Sequence, residues 1–349
     1  MNQIRILNVY KWATMGGVER VFLNRAHAFK NAGLNVKYDV HFLYDSGGIT
    51  RFQNYIESNN LEDHIELVSQ LEADKYDVIL SVDTPEIFDY TNNYSKVFLE
   101  CHTSYKDNRS YIRRLPYNLG GIIVPSNFFA EELKKELPGY LKDKIYKLSN
   151  FTVESTPSLK LNNLIYGKTP LLYLGRLDKL KNIEEILQIL ADYLETFGDD
   201  FILILAGPII EHEISLQELL IKYDVVNRVV YLPPIDFEYV NKIFQMIVLH
   251  KGIFISSSKS ETFGLSCAEA IYNNIPTLLS SITAHEELVN NDSRFLYRLG
   301  NIKEASQKLH SIQQNYSEYK HQLKKLQYNF SDKQFLKDWI SLIEGVVSV

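Results

Sequence analysis

The chain has 349 residues, 45% hydrophobic and 12% aromatic, enough to bury the cores of roughly two domains, which excludes a disordered chain. A formal net charge of −6 excludes a general basic surface for nucleic acid. Two cysteines, Cys101 and Cys267, make no disulfide framework and read as small buried hydrophobes; no Cys/His cluster has zinc-ligand spacing.

The opening MNQIRILNVY is too short and too polar for a signal peptide, and no apolar run reaches the roughly 18 residues of a membrane span. A soluble, cytoplasmic protein is therefore expected. Short apolar runs then alternate with stretches of helical period. The first-half strand candidates are 4–10, 36–44, 64–68, 76–82, 96–101, 120–126 and 144–150. Helices are expected at 18–32, before Gly33, and at 127–137, before Pro138. Residues 152–170 lack periodicity and read as a linker. The rhythm restarts with strands at 170–175, 201–207, 228–233, 252–258 and 276–281, and ends in a helix over 331–346 with Ser331 as N-cap. The pattern predicts two α/β domains with parallel sheets, spanning 1–155 and 165–330, with a cleft between them. Ligands of such sheets bind beyond the C-terminal strand ends, so those loops are where chemistry is sought.

Four loops stand out. In ATMGGVER, Gly16 and Gly17 precede a helix, where backbone N–H groups can approach an anion; a simple turn explains them equally well. In LGRLDKLKNIEEIL, Asn182 and Glu185 read as a capping box. Arg176, Lys179 and Lys181 crowd that helix start, where the dipole disfavours cations unless an anion joins them; a solvated charge run is the alternative. In SETFGLSCAEA, Glu261 lies in the loop before a helix running from about Leu265 to Asn273, and Glu269 lies inside it. The N–H groups of Thr262, Phe263, Gly264 and Leu265 between them suit a phosphate, while the carboxylates suit sugar hydroxyls; surface glutamates are the alternative. In LECHTSYKDNRSYIRR, His102 follows a strand, as either a structural histidine or a site residue. Lys106, Arg109, Arg113 and Arg114 against Asp107 give a local charge of 4 − 1 = +3, open to an anionic acceptor, a membrane surface or plain solvation.

Together GGVER, CHTSY, VPSNFFAEEL, LSNFTVE, LGRLDKLKNIEEIL and SKSETFGLSCAEAIYNNIPTL resemble, in order and across nearly the whole chain, the retaining glycosyltransferases of family 4. The resemblance implies a GT-B architecture, with two Rossmann-like domains facing each other and the C-terminal helix (331–349) crossing back onto the first. It implies a metal-independent enzyme without cofactor that takes a nucleoside-diphosphate sugar, a UDP-sugar favoured. Arg176 and Lys181 would neutralise the diphosphate, helped by backbone near Gly17 and from Thr262 to Leu265. Glu269 would hold the ribose, Glu261 the transferred sugar, and His102 that sugar near the reacting centre, with the base against LPPID (232–236). The acceptor would be a glycan, a lipid-linked sugar or a protein, in bacterial surface polysaccharide synthesis at the inner face of the plasma membrane. The chain has no Asp-x-Asp triplet, the mark of metal-dependent glycosyltransferases. It also departs from the family in having Asn274 where glycine is usual; asparagine still suits a left-handed turn. A GT-B phosphorylase, a nucleotide-sugar epimerase and a non-catalytic sugar-nucleotide-binding subunit are the alternatives.

Overall fold

All seven first-half apolar runs are strands in the computed structural model, which describes residues 4–153 and 167–347. They are β1 (Ile6–Ala13), β2 (Tyr38–Asp45), β3 (Ile65–Leu67), β4 (Val78–Val82), β5 (Val97–Glu100), β6 (Gly121–Val124) and β7 (Ile145–Lys147). The sheet is parallel throughout, in the order 3-2-1-4-5-6-7. Helices α1 (Gly17–Asn31), α2 (Ile49–Ser58) and α3 (Asn127–Leu133) follow β1, β2 and β6. The third is shorter than expected, because residues 134–136 continue only as a turn before Pro138.

The second half gives β8 (Thr169–Leu174), β9 (Phe201–Ala206), β10 (Val229–Leu232), β11 (Ile253–Ser256), β12 (Thr277–Ser280) and a two-residue β13 (Leu296–Tyr297). They form a second parallel sheet in the order 10-9-8-11-12-13. Its helices are α4 (Ile183–Thr196), α5 (Leu216–Lys222), α6 (Phe237–Leu249), α7 (Leu265–Tyr272), α8 (Thr283–Leu288), α9 (Ile302–Gln314) and α10 (Tyr316–Leu323).

Strands this apolar are buried on both faces. Along β8, Leu171 and Tyr173 join a core beneath α4 and α9, while Leu172 points the other way into a core with Phe244 and Ile271 of α6 and α7. Helix α4 turns Ile183, Ile186, Leu187, Leu190 and Tyr193 inward, an i, i+3, i+4, i+7 stripe that explains why it lies flat on the sheet.

The chain divides into two units, residues 1–153 with 331–349, and residues 154–330. The last helix, α11 (Asp332–Val347), thus belongs to the first unit. It is held there by Phe335 and Trp339, whose rings lie 5.7 and 5.0 Å from that of Phe29 in α1, and by Asp338, which accepts hydrogen bonds from the Ser149 N–H and hydroxyl at 3.0 and 2.6 Å. Most of the expected linker, residues 154–166, lies outside the described residues. Among the described residues, no helix is long and apolar enough to cross a membrane.

Candidate functional site

In the second sheet, strand order reverses between β8 and β11, and ligands of parallel α/β sheets bind where it does. The loops following these neighbouring strands, 175–182 and 257–264, carry Arg176, Lys181 and Glu261. The two loops are tied main chain to main chain by Lys259 N–H donating to the Leu180 carbonyl at 2.9 Å.

Asp178 organises the first loop. It is almost fully buried, accepts the Lys181 N–H at 2.7 Å and pairs with the Arg176 guanidinium at 2.9 Å. The Arg176 side chain is 47% exposed, so its charge faces solvent as well. Lys181 reaches across to Glu261, Nζ to Oε1 at 2.5 Å, and the Ser258 hydroxyl donates to the same oxygen at 2.8 Å. Burial works against the Glu261 charge. Lys181, His285 and Ser258 outweigh it and hold the carboxyl below its ordinary range. The expected crowd of cations therefore carries its own counter-charges.

The capping box is not formed. Asn182 takes a left-handed conformation (φ 56°), and its side-chain amide donates to Glu185 at 2.6 Å instead of its oxygen capping the helix backbone. The other Glu185 oxygen accepts the Gly300 N–H at 2.9 Å. Before α7, Gly264 has φ +87°, a conformation that favours glycine and lets the chain turn sharply into the helix. The Phe263 ring packs in the core against Phe330, so only its main chain can serve a ligand. Glu269 is buried within α7, and Asn274 has the left-handed conformation expected of it (φ 57°).

The first unit treats its loops differently. Gly16 does not offer its N–H to a ligand, because Glu19 curls back over the turn. The Glu19 carboxylate accepts the N–H groups of Thr14, Met15 (2.9 Å) and Gly16 (3.0 Å), so the cradle holds an internal anion. Gly17 opens α1. His102 is not an open strand-end side chain. Its Nε2 meets Glu100 Oε2 at 3.1 Å and its side chain is 11% exposed. Glu100 is buried with Arg25, whose two terminal guanidinium nitrogens donate to its oxygens at 2.8 and 2.9 Å. Burial alone would raise the Glu100 carboxyl; Arg25 and His102 hold it down to about 2.

The basic patch is also reduced. Arg109 is buried over the Phe129 ring and pairs with Glu132 and Glu136 at 2.6 and 2.7 Å, leaving Lys106, Arg113 and Arg114 exposed. Both cysteines are buried. Asp178, Ser258, Arg25 and Glu100 were missed by sequence reasoning, as was Asp83, whose carboxylate accepts the His102 N–H at 3.1 Å. The available signal was a charged residue inside an apolar run, Glu100 in KVFLEC and Arg25 in VFLNRAHAF, since such residues are almost never buried unpaired. Among the described residues no three His, Cys, Asp or Glu side chains gather as a metal site.

Residues 160–330 match the model of a family described as glycosyl transferases group 1. The chain is 23% identical over 211 residues to a probable sucrose-phosphate synthase of Thermosipho melanesiensis, covering 58% of this chain and 48% of that protein. It is 25% identical over 135 residues to a sucrose synthase of Melioribacter roseus, covering 36% of this chain and 17% of that one. The chain thus spans half or less of the length of these curated relatives. Among solved structures, Anabaena HepE in complex with UDP and glucose aligns with a TM-score of 0.77 at 15% identity, over 99% of this chain and 100% of that one. A Staphylococcus aureus TarM variant, in complex with fondaparinux, alpha-GlcNAc-glycerol and UDP, aligns with a TM-score of 0.74 at 11% identity, over 98% and 99%. At these identities the likeness is one of fold.

Proposed function

We propose, from the premise that residues 160–330 belong to the group 1 glycosyl transferases on a GT-B fold, that the protein transfers a sugar from a nucleoside-diphosphate sugar to an acceptor hydroxyl. The observation that carries the proposal is the set Arg176, Lys181 and Glu261, brought together by the two loops at the strand-order reversal. In the transfer, the bond from the anomeric carbon to the diphosphate breaks and the nucleoside diphosphate departs. Arg176 and Lys181 stabilise the charge developing on it, a contribution that weakens sharply if either cation is removed. The acceptor oxygen bonds to the anomeric carbon, and its proton passes to the departing phosphate.

Glu261 is assigned to the hydroxyls of the transferred sugar and Glu269 to the ribose, with the Thr262–Leu265 main chain between them on the diphosphate. The donor we favour is a UDP-sugar, supported by the UDP complexes of HepE and TarM. The stereochemical outcome we assign is retention, which rests on the Glu-x7-Glu and Arg-x4-Lys elements. The acceptor class we assign is a glycan or glycoconjugate precursor. Incubation with UDP-sugars and an oligosaccharide panel, with product anomers read by NMR, tests the assignment. A glycosylated product of retained configuration is expected; free sugar phosphate or an epimerised donor with no glycosylated acceptor would overturn it.

A further inference from the structure

We propose that Arg25 and Glu100 are a buried positioning pair for His102, holding its imidazole in one orientation and one tautomer. The proposal rests on the sugar-transfer reading, in which His102 has the role implied by the family resemblance. Its geometry lies wholly within the first unit.

Arg25 sits in the middle of α1, 2% exposed, and grips Glu100 bidentately where β5 ends. Glu100 is fully buried, and its Oε2, which already accepts from Arg25, also meets His102 Nε2 two residues on. An ionised carboxylate can only accept, so the Nε2 facing it carries the proton and Nδ1 carries the lone pair. The main chain of His102 is pinned separately. Its N–H donates to both oxygens of the Asp83 carboxylate, at 3.2 and 3.1 Å, and the Tyr111 hydroxyl donates to Asp83 at 2.9 Å. Asp83 itself has φ +44°, a conformation that side chains rarely adopt, and its N–H donates to the Glu100 carbonyl at 2.9 Å. Ring and backbone are thus each held by a carboxylate from the end of a different strand.

A buried ion pair is a poor source of stability compared with apolar residues of the same size. What this pair supplies is a carboxylate kept charged at a fixed point beside an imidazole, the arrangement by which carboxylates orient working histidines.

The test is the double variant Arg25→Met/Glu100→Leu, which removes both charges together and leaves neither buried alone. In the wild-type protein, nitrogen-15 NMR at a pH where the ring is neutral should find His102 almost wholly as the Nε2–H tautomer; in the double variant it should become a mixture. Turnover of UDP-glucose, or of whichever UDP-sugar is used, should fall about 10–100-fold in kcat with KM little changed. The same double change in a His102→Ala background should cost almost nothing, because the pair acts through that ring. A wild-type ring without the Nε2–H preference overturns the proposal even if the variant fails to fold. So does an equal loss with and without His102, the mark of a merely structural pair. A wild-type protein that turns over no nucleotide sugar would sink the sugar-transfer reading, while the tautomer measurement would still decide the positioning.

Discussion

The two units build the same kind of parallel sheet and pair their charges at strand ends, yet differ in how far those pairs are closed off from water. The first unit closes its charges on themselves: Glu19 fills the cradle after β1, and Arg25, Glu100 and His102 form a chain with little contact with water. The second keeps Arg176 half exposed and holds Lys181 and Glu261 at 19% and 15% side-chain exposure. Topology therefore fixes where a ligand can approach, and loop side chains decide what it meets. The second unit's loops present Arg176 and Lys181, whereas the first unit's cradle already holds a carboxylate.

The largest effect that would sharpen this contrast is on turnover. Lys181→Ala should lower kcat/KM for the donor by roughly 10²–10³-fold with the circular dichroism unchanged, as expected for removal of a charge-stabilising group. Glu19→Gln should leave donor affinity unaltered, and equal losses from the two changes would erase the contrast. Next comes stability. Arg25→Met strands Glu100 in the core and should cost about 3–5 kcal/mol in urea unfolding. Lys181→Met breaks a pair nearer water and should cost clearly less.

The pH dependence of that stability has a defined sign. The Glu100 carboxyl is depressed from 4.5 to about 2 by Arg25 and His102 against burial, so its contribution is in place above its ordinary value and is lost as pH falls through about 2. Asp83 shifts the opposite way, raised chiefly by burial, so its contribution is present below its ordinary 3.8 and is lost as pH rises. Because Asp83 remains in the Arg25→Met/Glu100→Leu variant, subtracting the two acid titrations isolates the pair: the wild type should lose more stability than the variant between about pH 5 and 2. The smallest effect expected is a gain. Asn274 is left-handed, and its buried side-chain oxygen makes no hydrogen bond among the described residues. Asn274→Gly should stabilise the protein by about 1 kcal/mol or less, read from thermal melts.

Strands were legible because burial on both faces writes them as unbroken apolar runs such as FILILA and GIIV. The two-residue β13 and the short α8 leave no comparable run or period, so local pattern does not announce them. In the site, Arg176, Lys181 and Glu261 were legible as a motif and stand on facing loops. Their organiser Asp178 was not, because its importance lies in hydrogen bonds that close within its own loop. Asn182 departs from the expected cap for a related reason: a capping motif specifies residue types, and here the backbone turns left-handed and sends the side chain to Glu185. Arg25 and Glu100 lie 75 residues apart, a pairing that only the tertiary fold creates.

The role of Lys181 in holding a nucleoside diphosphate is decided by calorimetric titration of UDP and of UDP-glucose into the wild-type protein and into Lys181→Ala. Both ligands should bind the wild type, and the substitution should weaken each at least about tenfold, the loss of one charge-assisted contact of roughly 1.5–3 kcal/mol. Equal affinity in the two proteins, or no binding of either nucleotide to the wild type, would contradict that role.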